Sequence, residues 1–362
     1  MRLTDAIRDP VFQLNLLIWM AKPQPRDAYT KGLGVKPLFS EWGFRIVYIE
    51  VPLTLTEATQ AAAHATGLQL QGQVEPELTL AKHEAKKGLL FEAKSNSFGP
   101  ASTTSKQARA HLLLAGADFG DVMRPLEQGL CCYVVPSTCA QLMAECLTAL
   151  TKELRDKTLR PGAFSVHELS VDDRSVVYAW DAALKAHVGT EDVSAVVLTA
   201  PTDDTDPSPL ILIYSDDDCW NQTQRNFYRQ VVISQVRSRL LCDLHNHEVG
   251  AEYGVTAREL LLRTTDGIFQ YVGRRRQKNL TRLIHENVIR RVHHYWKDRQ
   301  QGIRMDDAGK LSVTWQVSSE KEDFVAWLED RRVKFVDDKP PEEPEHPLFA
   351  AMDDHSPEPQ PP

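Results

Sequence analysis

Three charged residues carry the chemistry that this sequence suggests. Glu77 follows Pro76 at the head of the run Leu78-Thr79-Leu80-Ala81, and Glu92 closes the run Leu89-Leu90-Phe91, two positions before Lys94. Both runs have strand character, and the polar stretch 82–87 and Gly88 separate them. A hairpin folded about the Glu84–Ala85 bond places Glu77 directly opposite Glu92, with Cβ atoms about 5 Å apart on one face. Like charges so placed repel unless something holds them, and a divalent cation, which takes oxygen ligands, is the natural partner. The strand period puts Lys94 on the face of Glu92 and turns Ala93 into the core. A lysine beside metal-bound carboxylates can orient or deprotonate a water and offset charge on a phosphate under attack. That combination suits phosphodiester hydrolysis. A second acid-x-lysine triplet, Glu84-Ala85-Lys86, falls in the expected turn.

The elements that must position these residues follow from periodicity and end signals. A strand is expected over 45–51, and a helix over 56–66 capped by Thr54 or Thr56. A helix over 105–115 ends at Gly116. A strand over 130–135 precedes a helix over 138–154, which carries Leu142, Met143, Cys146, Leu147, Leu150 and Leu154 on one stripe. A hairpin of 163–169 and 175–180 closes this unit near residue 185. Ahead of it, a short apolar helix over 11–20, interrupted by Gln13 and Asn15, belongs to an N-terminal helical extension of residues 1–40. Strands over 193–199 and 210–214 flank the polar stretch 201–209, which reads as a loop or linker. Helices over 226–244, 256–263 and 277–299 follow. The expected organisation is an extension over 1–40, an α/β unit over 41–185, a mainly helical unit over 190–336, and a disordered acidic, Pro-rich tail over 337–362.

The set Pro76-Glu77 … Glu92-Ala93-Lys94, with its helix–strand–strand–helix–strand order, resembles the PD-(D/E)XK nuclease superfamily over roughly residues 40–170. The resemblance implies a restriction-endonuclease-like mixed sheet flanked by helices. It also implies that Glu77, Glu92 and the Ala93 carbonyl hold Mg²⁺, with Mn²⁺ as a substitute, and that Lys94 positions or activates water. Gln107 sits where a following helix presents a polar residue to such a site, and Glu57 where some members place another acid. The departure is Glu77 where the usual residue is Asp; its longer arm shifts the metal.

Charge is segregated along the chain. The net charge is −8, yet twelve Lys/Arg face four acids between Thr256 and Arg304, whereas eight acids face one base from Asp337 to the end. A basic block of this kind is the footprint of a polyanion partner. Arg274, Arg275, Arg276, Lys278 and Arg282 are its candidate nucleic-acid contacts, set against the plainer reading of a solvated helix face. The string Cys242–Glu248 reads as a helix end rather than a metal centre, because no second Cys/His pair lies at finger spacing. Asp216-Asp217-Asp218 reads as a solvated loop leading to a helix cap at about Asn221.

Several functions are excluded. The sequence has no G-x-S-x-G turn and no GxxxxGK[ST] loop, so a serine hydrolase and a self-contained motor are both unsupported. Translocation would require a separate ATPase. No apolar run approaches the roughly 20 residues that span a bilayer. The first residues lack the layout of a secretory signal, and the six cysteines form no CxxC pair, so reduced thiols and a cytoplasmic location are expected. The expected function is thus a metal-dependent nuclease, with DNA as substrate, of the sort that serves a bacterial restriction or phage-defence system, with other subunits or an oligomer as partners. The alternative is an inactive nuclease-fold subunit that binds nucleic acid or supports assembly.

Overall fold

A computed structural model describes residues 3–22, 35–172, 175–189, 195–198, 213–216, 219, 221–300 and 302–330. Its contacts divide the chain into a first unit, Met1–Leu210, and a second, Ile211–Pro359.

The first unit is α/β. In chain order it contains α1 (Leu3–Ala6), α2 (Pro10–Ala21), α3 (Leu38–Glu41), β1 (Arg45–Tyr48), β2 (Leu53–Thr54), α4 (Glu57–Ala65), β3 (Gln73–Val74), β4 (Leu78–Lys82), β5 (Lys87–Ala93), α5 (Thr104–Ala115), α6 (Phe119–Val122), β6 (Gln128–Pro136), α7 (Ser137–Asp156), β7 (Ala163–Asp172), β8 (Ser175–Trp180), α8 (Ala182–Val188) and β9 (Ala195–Leu198). Seven strands form a mixed sheet in the order β1-β4-β5-β6-β7-β8-β9. The β1–β4 and β4–β5 pairs are antiparallel, whereas β5–β6 and β6–β7 are parallel. Parallel neighbours need crossover helices, which α5 and α7 supply.

Strand alternation sorts β5 between two layers. Leu90 joins the core built by α5 and α7, including Ala108, Leu112, Met143 and Leu147. Phe91 faces the other way, 5.1 Å from the ring of Phe39 and 5.5 Å from that of His167. β5 is therefore buried on both faces, which explains its near-continuous apolar sequence.

The N-terminal segment is not a separate extension. Asp9 caps α2 by accepting from Val11 N, and ten of the twelve α2 residues are buried. The two residues that interrupt its apolar run are buried, and their side-chain amides donate to backbone carbonyls: Gln13 to Ile7 O at 2.7 Å and Asn15 to Val11 O at 2.8 Å. α2 packs against β1, β4 and β5, so residues 3–22 belong to the first unit. That unit also extends past residue 185, because β9 pairs antiparallel with β8.

The second unit contains α9 (Gln222–His245), β10 (Tyr253–Val255), α10 (Ala257–Thr264), α11 (Arg274–Ile284), α12 (Arg290–Trp296), β11 (Ile303–Met305), β12 (Leu311–Val313) and α13 (Ser318–Glu329). Asn221 caps α9 by accepting from Gln224 N, and a capping box of Thr256 and Glu259 opens α10. The three strands form an antiparallel sheet in the order β10-β12-β11. Its core gathers Phe269, Trp315 and Phe324, all fully buried. The helix expected over 277–299 starts earlier, at Arg274, and a π turn at His285–Ile289 divides it. Ile213 and Tyr214, expected in a strand, lie outside any strand. The acidic tail over 337–362 lies outside the described residues.

Candidate active site

The β4–β5 hairpin has the register expected from its midpoint. Leu78 pairs with Phe91, Leu80 with Leu89 and Lys82 with Lys87, around a short 3₁₀ turn at His83–Ala85. The second acid-x-lysine triplet sits in that turn, where Lys86 pairs with Glu127 at the surface. At the open end of the hairpin the ladder slips: Glu77 N donates to Phe91 O at 3.0 Å. Glu50, which follows β1, donates its amide to the carbonyls of Pro76 and Glu77, each at 3.2 Å, and so secures the backbone that carries Glu77.

Glu92 is the hub, with 3% of its surface exposed. Its Oε1 accepts from Lys94 Nζ at 2.5 Å and from Gln107 Nε2 at 3.0 Å. The first contact follows from the strand period, and the second from α5 packing on that face of the sheet. Burial opposes the charge on Lys94. The carboxylates of Glu92 and Glu77 and the hydrogen bond from Lys94 to Glu92 outweigh it, so the ammonium pKa lies above its ordinary 10.5. The influence of Glu77 on Lys94 puts the two hairpin acids and the lysine in one electrostatic cluster.

The other oxygen of Glu92 is placed differently. Oε2 is buried and accepts no hydrogen bond among the described residues. Its neighbour is His111 Nδ1 at 3.7 Å, beyond hydrogen-bond reach. His111 is itself buried, and its Nε2 has no hydrogen-bond partner among the described residues. Burial lowers the His111 pKa, the Glu92 charge only partly opposes this, and Lys94 adds to it, so the ring is neutral. Sequence reasoning missed His111, yet its spacing from Gln107 was a usable signal, since residues four apart share a helix face. Tyr133, paired with Glu92 across β5 and β6, stands behind it with its ring centroid 6.5 Å from that of His111.

Lys94 is anchored at its backbone as well. Lys94 N donates to Val134 O at 2.8 Å. Continuing the parallel ladder would bring the amide of residue 136 to Lys94 O, but Pro136 has no N–H. Gln13 Nε2 takes that place at 3.3 Å. Gln13, read from sequence only as an interruption of an apolar helix, thus holds the chain at the site.

The oxygens of a kind that suits a hard cation are Glu92 Oε2, which accepts no hydrogen bond among the described residues, the Glu77 carboxylate, whose charge acts on Lys94, and the Ala93 carbonyl. This donor set fits magnesium in kind. Among the described residues, however, no group of three or more His, Cys, Asp or Glu is placed to hold a metal.

Two expected residues stand elsewhere. Glu57 is exposed in the first turn of α4, and it is not among the charges that act on Lys94 or His111. The start of α4 is tied instead to buried Asp118, which accepts from Thr56 N at 2.7 Å and Thr59 Oγ1 at 2.6 Å. In the second unit, Arg274, Arg275 and Arg282 are exposed and Lys278 is half-buried, but Arg276 is buried with the apolar face of α11 and is not placed to meet a surface ligand. The histidine string ends α9 as expected: Lys321 Nζ donates to the carbonyls of His245 and His247 at 2.7 and 2.8 Å.

No family model, curated protein or solved structure matches this chain. Among the described residues, no helix is long and apolar enough to cross a membrane.

Proposed function

We propose that the first unit is a metal-dependent phosphodiester hydrolase of the PD-(D/E)XK, restriction-endonuclease-like type, acting on nucleic acid with DNA as its substrate. The observation that carries this reading is the buried Glu92, with Lys94 and Gln107 on one oxygen and the other oxygen unbonded. A carboxylate desolvated to this degree needs compensating charge, and Lys94 supplies it on one side only.

Glu77, Glu92 and the Ala93 carbonyl would hold Mg²⁺, or Mn²⁺ in its place. A bound cation supplies Lewis-acid neutralisation of charge that develops on the phosphate. Lys94, kept protonated by the two acids, orients the attacking water and offsets negative charge on the phosphate oxygens. Gln107 steadies Glu92 so that Lys94 keeps its direction. Neutral His111 backs the second Glu92 oxygen without competing for charge. The basic face of the second unit would retain the polyanion, and a restriction or phage-defence role, with a separate ATPase or other subunit, fits a nuclease that lacks a motor loop.

The test is incubation of the protein with plasmid, linear DNA and RNA, with and without Mg²⁺, beside Glu92→Gln and Lys94→Ala. Cleavage that needs Mg²⁺ and disappears in both variants supports the reading. Cleavage that survives in both ends it.

One observation favours a second reading, an inactive nuclease-fold subunit that binds nucleic acid or supports assembly. The cation would rest on two side chains and a carbonyl, and among the described residues no group of three or more His, Cys, Asp or Glu is placed to hold a metal. Calorimetric titration with Mg²⁺ and Mn²⁺ separates the two readings, since a decayed site binds neither.

A further inference from the structure

The second unit has a basic helix presented on a scaffold of definite topology. α10 packs on both α9 and α11. The connection from Thr265 to Gly273 is longer than a minimal turn and contains a 3₁₀ turn at Ile268–Tyr271, entered through Gly267 at φ 83°. Phe269 in that turn is fully buried, which fixes the connection to the core. After α12 the chain forms the β11–β12 hairpin, and β12 lies between β11 and β10. α10 and α11 thus form a contacting helix pair joined across residues 265–273, with α9 packed on α10 and a β-hairpin following α12.

The two faces of α11 differ sharply. Arg276, Leu280, Leu283 and Ile284 are buried, whereas Arg274, Arg275, Asn279 and Arg282 are exposed. Residues 275, 279 and 282 recur at helical spacing and form one outward stripe. Gly273 at the helix start offers no side-chain cap. The hairpin adds exposed Arg304 and Lys310. Beside the stripe lies a cleft of about 410 Å³ lined by Arg275, Arg282 and Arg229 and also by Asp216 and Glu286. Arg229 Nε is buried there without a hydrogen-bond partner among the described residues, a ready donor for a phosphate oxygen.

We propose that α10–α11 is a DNA-binding helix-turn-helix, with α11 entering the major groove of duplex DNA. An α-helix with its side chains is about 10–12 Å across, close to the roughly 12 Å width of the B-form major groove. The corresponding groove of A-form RNA is deep and narrow and admits no helix. Arginine and asparagine are the side chains that make bidentate contacts to guanine and adenine edges in that groove, and the N-terminal residues of a second helix are the ones that reach it. A single strand offers no groove at all. The proposal rests on the nuclease reading for the class of ligand, but not on the Glu92 cluster.

The experiment measures equilibrium binding of the full chain in EDTA, by fluorescence anisotropy. Its probes are a duplex DNA of about two helical turns, one of its strands, and an RNA duplex of the same sequence. The duplex DNA is expected to bind about tenfold more tightly, or better, than either of the others. Arg275→Ala with Arg282→Ala is expected to weaken duplex binding about tenfold or more, and to reduce the slope of log affinity against log salt by about two. If the double variant does not fold, as judged by its circular dichroism melt, Arg282→Gln at its exposed site gives the same readout with half the slope change. Equal binding of the RNA duplex or the single strand overturns the proposal, as does a folded variant with unchanged affinity and slope. Because the assay excludes divalent metal, cleavage that survives in both Glu92→Gln and Lys94→Ala, with duplex binding intact, sinks only the nuclease reading. Active cleavage without preferential duplex binding sinks only this one.

Discussion

The side-chain amide of Gln13 donates to the backbone carbonyl of Lys94 at 3.3 Å, across 81 residues of sequence. The same amide nitrogen donates to Ile7 O at 2.7 Å, so one buried group ties the start of the chain to the strand end that carries the lysine. The contact replaces a ladder bond that Pro136 cannot make.

Replacing Gln13 therefore acts on both stability and site. Gln13→Leu leaves the Lys94 and Ile7 carbonyls without this donor, at a cost of about 1–3 kcal/mol. Urea denaturation should register that loss. Metal-dependent cleavage should fall by a larger factor than in Asn15→Leu, whose side-chain amide donates to Val11 O within α2. Equal effects of the two variants on cleavage would show that Gln13 merely stabilises the fold.

Lys94 and Glu92 should separate metal binding from turnover. Lys94→Met removes a cation from beside Glu92, so Mg²⁺ binding should be unchanged or tighter, while cleavage drops by about 10²–10⁴. Glu92→Gln keeps an acceptor for Gln107 but removes the charge, so it should lose both. Calorimetry and a plasmid-nicking assay on the same preparations check this. Weaker Mg²⁺ binding in Lys94→Met would contradict the arrangement.

Stability should fall in acid within a defined window. Burial pushes the His167 pKa down to about 4, against a partial opposing effect of Asp181. Burial likewise pushes the His187 pKa down to about 4, aided by Lys87 and opposed by a backbone hydrogen bond to Gly88. Both histidines are neutral when folded. The unfolded chain takes up protons first as pH falls below about 6.5, so their contribution is complete above that value and is lost on the way down to about 4. Urea midpoints at pH 7 and pH 5 should differ, with roughly 1–2 kcal/mol assignable to one buried histidine. His187→Gln should flatten that dependence; an unchanged profile would exclude His187 as a source.

Close backbone approach makes Gly116 a test of the fold that holds Gln107 and His111. A Cβ there would meet Arg160 O and Gly162 N at 2.3 Å, both backbone atoms. Gly116→Ala should lower the melting temperature markedly, with a cost on the order of 1–3 kcal/mol or more. A melt within a degree or two of the parent would mean that α5 and the 160–162 segment separate easily.

The hairpin register, the shared face of Glu92 and Lys94, and the spans of α5 and α7 were all legible in sequence, because each follows from a short-range rule. A two-residue period, a turn midpoint and a terminating glycine act over a few bonds and need no knowledge of distant chain. The caps behaved likewise: Thr56 on α4 and Asn221 on α9 are local hydrogen bonds. Tertiary structure decided the rest. The second oxygen of Glu92 is buried beside His111, and a carbonyl that Pro136 leaves over is met by Gln13. Arg276 is turned inward while Arg275 faces out. The packing of α10 on both α9 and α11 joins what reads along the chain as separate helices. Those outcomes depend on which buried surfaces meet, and burial is a property of the packed chain, so no local spacing encodes it.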